Sequence, residues 1–596
     1  ADLDRVVIES LAGLGDRSLG TPGGRLAADA VEAFFKGLEA GEVGRLSYRA
    51  PAMLHGPASL AVDGGGRADV SPLALNAFTP GSLPPDGLTG PAVYAGAGGY
   101  RDFDGTLPKD AIVLMDLDSG RNWQAAAQLG ARALIYIDDS PPNDPAGAGV
   151  YRDKFELTPV RFPRFLLSAA KARELFGDYK ALKGGPGGAT AVLAAKAGWE
   201  PVVADNVHVL FPGTDPALAG QLLVVDAAYD AAAYAPGRAP GADEAASLAA
   251  LLRLARDFAA QPPARPTLLV ATSGRGQSMA GLREFFGALR GKGKDLRTQA
   301  RDLKETARKA EGVIKSLDEA AADGEAAKAA LADPGVREAL LETLKDEVDV
   351  VTTRLMRLRL AGQTRDEAAI AALAERRAGL RRIMWRENFA ALPPAEAELL
   401  LALAPAARER LARDRAGAEA EAGCVESARE LRKLVGDRDV TAQASLYLSS
   451  HGQGVVSLCE GFGFEVKPDV NPAQAYGRLN RSLAAAAEAA AKAVGLPAGY
   501  YRDGMRDDRQ NPWQGMLPDR PILGGEFGNL AGVLGFTLAT VGDARLAWGT
   551  PGDLPDRVDF AALDKQGRFV ASMVAAMASP GFEAGEKRPR NVFSTL

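Results

Sequence analysis

The spacing of apolar residues changes several times along this chain, and each change predicts a different kind of element. After Pro22 and two glycines, Leu26, Val31, Phe34, Phe35 and Leu38 recur near helical spacing, which predicts a helix over Arg25–Leu38. From about residue 46 to 198 short β-like runs are separated by Gly and Pro. Ala111–Met115 (AIVLM) and Ala133–Ile137 (ALIYI) are compact apolar strands, joined by a helix-like segment at Trp123–Leu129, so together they predict a βαβ unit. Phe162–Leu167 predicts another strand, before a helix at Ala169–Phe176. A second region begins near Trp199, with a strand at Leu222–Val225, a helix at Glu244–Phe258 and a strand at Thr267–Ala271. Such alternation predicts an α/β fold: a mixed, largely parallel sheet with helices on both faces.

Between about residues 290 and 438 the strand signals vanish. Ala, Leu, Glu, Lys and Arg dominate, with breaks at Gly324, Asp333-Pro334, Gly362 and Pro393-Pro394, and Thr364 followed by Glu367 reads as a capping box. Several helices packed as an antiparallel bundle or long hairpin are expected. Two roles stay open for them: a solvated insertion without chemistry, or a docking arm, because a long hairpin must bury its apolar stripe somewhere. Strand texture returns at Ala442–Leu448, and a helix follows at Ala473–Val494. A sheet interrupted by helices and then resumed is one domain with a guest.

At 596 residues the chain exceeds one core, so two or three domains are expected. A formal charge of −6 gives no reason to expect nucleic acid as the partner. Apolar stretches such as Leu399–Ala404 end at Pro405 or at a charge, far short of a membrane span. The sequence starts at Ala1 without a basic-then-apolar leader, for which a signal peptide removed after a small residue and a trimmed chain both account. Cys424 and Cys459 fit one disulfide or two buried thiols equally well. Neither GPGG at 185–188 nor GKGK at 291–294 continues into a phosphate loop, and no Gly-x-Ser-x-Gly elbow is present. Only three histidines occur, His55, His208 and His451, whereas a two-zinc site usually takes at least two from different loops.

Several segments, in order, resemble a known family. RSLGTPGGRLAA, LPKDAIVLMDLDSGRNWQAAAQLGARALIYIDD and FPRFLLS are similar to the protease-associated (PA) domain and its lead-in. DNVHVLFPGTDP, LLVVDAAYDA, GADEAASLAALLRLARDF, LLVATSGRGQSMAGLREFF and ARLAWGTPGDLPDRVDFAAL are similar to the zinc aminopeptidases, the family that also contains glutamate carboxypeptidase and the transferrin receptor ectodomain. The resemblance covers most of residues 1–290 and about 440–580. It implies a peptidase-like domain over 1–45, 199–289 and 439–596, a PA domain over 46–198, and a helical insertion over 290–438.

The resemblance also implies a chemistry: two zinc ions held by histidines and carboxylates, with the first Glu of an EE pair as general base on a zinc-bound water. Carried onto this chain, the His of an HxD motif falls on Ala228, with Asp230 kept, and the bridging carboxylate falls on Glu244. The EE pair falls on Arg275-Gly276, a later Asp on or beside Ser449, and the last His on Gly549. Structural zinc sites carry roughly 10–16 kcal/mol over about four ligands, so losing four of five leaves no site. The expectation is a pseudoenzyme without metal or other cofactor: a secreted or periplasmic binding or scaffold protein, with a protein partner or homodimeric self-association. The alternatives are a metal-dependent aminopeptidase with a rewired site and an architectural subunit of a larger envelope assembly.

For the rewired site, His451 is placed near Asp230 and Glu244 as a third ligand; the plainer reading is a lone strand-end histidine. An Asp230–Arg275 salt bridge across the cleft is a further expectation. His208, in the alternating run Asn206–Phe211, reads as a strand residue with a polar neighbour, and His55 lies in a Gly/Pro-rich stretch. Tyr500, Tyr501, Arg502, Arg506, Arg509 and Trp513 gather in a polar segment, which reads as a contact surface or as a packed surface loop over the cleft.

Overall fold

The computed structural model describes residues 2–64, 66–74, 81–141, 148–155, 160–185, 188–320, 330–360, 366–386, 392–463, 472–505, 513–519 and 521–584. Its contacts divide the chain into one compact unit of residues 1–291 and 430–596 and another of 292–429.

The first unit is a mixed α/β structure. Its strands are β1 (Glu42–Val62), β2 (Gly66–Asp69), β3 (Ser71–Pro72), β4 (Leu88–Tyr94), β5 (Ile112–Asp116), β6 (Ala133–Asp138), β7 (Arg164–Ser168), β8 (Thr190–Phe211), β9 (Gln221–Ala228), β10 (Thr267–Thr272), β11 (Asp439–Tyr447), β12 (Val455–Leu458), β13 (Tyr501–Asp503) and β14 (Gly535–Thr540). The central sheet runs β13-β12-β14-β11-β9-β10-β8. Its middle strands β14, β11, β9 and β10 pair in parallel, while β8 is antiparallel to β10. β1 pairs antiparallel with β8 from Glu42↔Leu210 to Val62↔Ala191, a long ribbon that continues into a second sheet through β4.

In that second sheet β4, β5, β6 and β7 are parallel neighbours, with β3 antiparallel at the edge. Its strands are apolar on both faces because both faces are covered. Ile112, Leu114, Ile135 and Phe165 enter one core, and Val113, Met115, Leu134 and Leu166 the other. The alternation is the strand's two-residue period acting on a run with no polar position.

One face of the central sheet carries Val207, Val209, Leu223, Val225, Leu269, Ala444, Phe536 and Leu538, all in the main core. Helices Asp2–Ala12, Ala246–Ala260, Pro472–Val494 and Phe560–Met577 supply the other side of that core. Helices Ala280–Arg290 and Gly525–Leu530 also pack against the sheet. Gly525 permits the second contact, because a Cβ there would lie 2.5 Å from the backbone carbon of Phe536. Helix Pro22–Gly37 takes in Pro22 and the two glycines that the expected Arg25–Leu38 helix left out, with the Thr21 side chain accepting from the Gly24 N–H, and Leu26 faces solvent.

Every described secondary-structure element of the 292–429 unit is a helix. Leu340, Leu344, Val348 and Val351 recur on one side of helix Pro334–Arg359 and meet Leu317, Leu380, Ile383 and Leu400. Asp333 caps that helix by accepting from the Gly335 and Val336 N–H groups. The next helix, Glu367–Met384, is capped by Asp366, whose carboxylate accepts from Ala369 N–H at 2.9 Å. Thr364, Gly324 and Gly362 lie outside the described residues. No described helix is long and apolar enough to cross a membrane.

Candidate functional site

β9, β10 and β11 are parallel, so their carboxyl ends open on one side of the sheet, where such folds build ligand sites. β9 leads to Asp230, β10 into a tight turn bearing Arg275, and β11 through Tyr447 to Ser449. The backbone forms the turn around Asp230, whose Oδ2 accepts the N–H groups of Gly274 at 2.7 Å and Arg275 at 3.1 Å. Gly274 has φ +75°, and a Cβ there would sit 2.9 Å from the Tyr48 hydroxyl.

The Arg275 guanidinium donates through Nη1 to Glu244 Oε1 at 2.8 Å. Its Cζ lies 4.3 Å from the Trp548 ring centre and 5.1 Å from that of Tyr447. The two rings meet edge to face at 5.3 Å. Glu244 Oε1 also accepts from Ala232 N–H, while Glu244 Oε2 and Asp230 Oδ1 are buried without a hydrogen-bond partner among the described residues. The expected Asp230–Arg275 pair is therefore corrected. Arg275 gives Asp230 its backbone and Glu244 its side chain, because Asp230 is already taken up in folding the turn.

A second layer of charge lies beneath. Asp553 accepts the N–H groups of Asp243 at 2.7 Å and Glu244 at 3.4 Å. The Asp243 carboxylate accepts Ser450 N–H at 2.7 Å and Trp548 Nε1–H at 2.8 Å. Arg17 is fully buried and donates to the carbonyls of Leu11, Tyr229, Pro240 and Gly241. Burial raises the carboxyls: Asp230 to about 7, partly opposed by its two backbone hydrogen bonds, and Asp553 to about 8, with the Asp243 charge adding to the effect. Burial likewise raises Glu244, against the pull of Arg275, and lowers Arg17, against the nearby Glu244, Asp553 and Asp230. Arg545 completes the wall by donating to Asp519 Oδ1 at 3.1 Å, with its guanidinium 4.1 Å from the Tyr447 ring centre.

The structure brings some of the expected positions together. Ala228, Glu244 and Arg275 line one cavity of about 20 Å³, room for a single water. Ser449 is buried, with its N–H on Thr540 Oγ1 and its carbonyl accepting from Gln566 Nε2. Gly276 is exposed on the turn. Gly549 has φ +75°, with the Tyr234 ring 3.1 Å from where a Cβ would stand. Beside the turn, Gly276, Leu54, His55, Trp199 and Tyr234 line a groove of about 960 Å³.

Other expectations change. His451 is exposed and shares a small cavity with Asp243, Arg545 and Asp553, so it does not join Asp230 and Glu244. His208 is in β8 as expected, but its buried Nδ1 has no partner among the described residues, and burial lowers its pKa to about 4. Tyr500 and Tyr501 are half-buried: Tyr500 meets Phe569 at 5.2 Å, and the Tyr501 hydroxyl bonds Ser457 at 2.7 Å. Arg502 is exposed on β13, whereas Arg506, Arg509 and the Trp513 side chain lie outside the described residues. Cys424 and Cys459 are buried and are not joined in a disulfide. Among the described residues no group of three or more His, Cys, Asp or Glu side chains could hold a metal ion. Motif reasoning missed Arg17, Asp243, Asp553, Tyr447, Trp548 and Arg545; all but Tyr447 lay within quoted segments, but nothing local marked them as buried.

No family model and no curated protein matches the chain. Among solved structures it is similar to a zinc aminopeptidase from Bacillus subtilis, at 13% identity over 98% of this chain and 97% of that one, with a TM-score of 0.46. A peptidase M28 precursor from Shewanella amazonensis matches at 14% identity over 99% and 96%, with a TM-score of 0.44. The γ-secretase component nicastrin matches at 9% over 92% and 76%, with a TM-score of 0.39.

Proposed function

We propose that this protein is a non-catalytic relative of the zinc aminopeptidases that works outside the cytoplasm as a binding or scaffold protein, with its second sheet as a PA domain. The observation that carries the reading is the Arg275 guanidinium, 2.8 Å from Glu244 Oε1 and packed against the rings of Tyr447 and Trp548. The residues here do not fit a zinc ion. A dication about 4 Å from a guanidinium meets several kcal/mol of repulsion even at an effective dielectric of about 20. Ala228, Ser449 and Gly549 offer no side-chain nitrogen or carboxylate. Each of the two cleft carboxylates already has one oxygen engaged, Glu244 by the Arg275 side chain and Asp230 by the N–H groups of the turn. A partner-binding role is supported by large apolar side chains open to solvent on the helical unit, such as Leu360 and Trp385, each 85% exposed.

Zinc analysis of the purified full-length chain after dialysis, together with an aminoacyl-reporter hydrolysis assay, tests the proposal. Far less than one zinc per chain and no chelator-sensitive turnover are expected. Stoichiometric zinc with turnover abolished by a chelator would overturn it. Gly549→His, which returns an imidazole to that position, is expected to lower stability by about 1–2 kcal/mol, because it forces a side chain into positive φ against Tyr234. It is also expected to gain no zinc; urea unfolding and metal analysis check both results.

A further inference from the structure

Resting on that reading of the cleft and going one step beyond it, we infer that the cleft is a guanidinium-binding pocket and that Arg275 is its built-in ligand. The walls are held without help from Arg275. Tyr447 donates its hydroxyl to Asp519, and Trp548 donates Nε1–H to Asp243 at 2.8 Å. Glu244 is seated by the Ala232 N–H and has a second oxygen, Oε2, that is buried, unpartnered among the described residues and part of a residue lining the cavity. These walls belong to β11, the 543–549 loop and the turn before helix Ala246–Ala260, none to the segment bearing Arg275.

A carboxylate edge beside two aromatic faces selects a flat, weakly hydrated cation: the edge accepts its N–H groups and the rings take its face. An ammonium ion has no flat face to stack and is more strongly hydrated, so it fits less well. The segment that delivers Arg275 is strained. Ser278 and Met279 carry side chains at φ +53° and +54°, next to Gly274 at +75°. Part of the pocket's cation affinity therefore offsets backbone strain. A pocket whose ligand is removed, while its walls stay in place, should accept the same group from solution.

Calorimetric titration of the full-length, metal-free Arg275→Ala variant with methylguanidinium chloride tests this, with wild type and Arg275→Ala/Glu244→Gln as comparators and urea as the neutral analogue of the same shape. One site per chain is expected in Arg275→Ala, with affinity about tenfold or more above both comparators and no response to urea. Equal binding by all three proteins, or none by Arg275→Ala, overturns the inference. If Arg275→Ala does not fold, nitrogen-15 NMR of wild type decides. A ring-shifted, slowly rotating guanidinium that loses its shift in Trp548→Leu supports the pocket, and a freely rotating one refutes it. Absence of methylguanidinium binding removes this inference alone, whereas zinc-dependent turnover by wild type removes the non-catalytic reading.

Discussion

Arg17→Met is expected to lower stability by about 4–5 kcal/mol, enough to deplete the folded protein in cells. Arg17 is fully buried and its guanidinium reaches four backbone carbonyls, on Leu11, Tyr229, Pro240 and Gly241. Methionine fills much of the volume but leaves those acceptors without a donor. It also removes the positive charge that Glu244, Asp553 and Asp230 feel. Arg17→Lys keeps the charge but cannot span four carbonyls with one ammonium, so about half of the loss should remain. Urea unfolding of both variants checks the ranking. A methionine variant as stable as wild type would show that the carbonyls find other donors and that the buried charge is dispensable.

Arg275→Ala should cost about 2–3 kcal/mol at pH 8 and clearly less at pH 5. The figure sits below that for a fully buried pair because 17% of the Arg275 side chain meets solvent. The pH dependence follows from the carboxyls. Asp230 titrates near 7 in the folded protein against an ordinary value of 3.8. A raised folded pKa contributes stability that is present below about pH 4 and lost as pH rises through 7; Asp553 extends the same loss to about 8. Arg275 lowers the proton affinity of both Asp230 and Glu244, so removing it raises them further. The penalty is thus smallest where these carboxyls hold protons and grows with pH. Unfolding free energies at pH 5 and pH 8 measure the difference, and an equal penalty at both would mean that Arg275 acts through packing alone.

The strands of the two sheets were legible where the chain writes them as short apolar runs, as at Ala111–Met115, Ala133–Ile137 and Thr267–Ala271. The β1–β8 ribbon was not. Glu42–Val62 contains Pro51 and Pro57, and its partner lies well over a hundred residues away, so no local period announces the pairing. Asp366, which caps helix Glu367–Met384, was passed over because the Thr364–Glu367 spacing also fits a capping box.

For the cleft, the residue types alone determined that Ala228, Arg275, Gly276, Ser449 and Gly549 stand where the family resemblance puts ligands or a base. Chemistry of that kind is a property of side chains and can be read one letter at a time. Which charges meet could not be read that way. Arg275 chose Glu244 over Asp230, and Asp553 came under Asp243 from more than 300 residues on, because pairing is set by distance and burial. Both arise only when the carboxyl ends of β9, β10 and β11 converge and the helices over them exclude water.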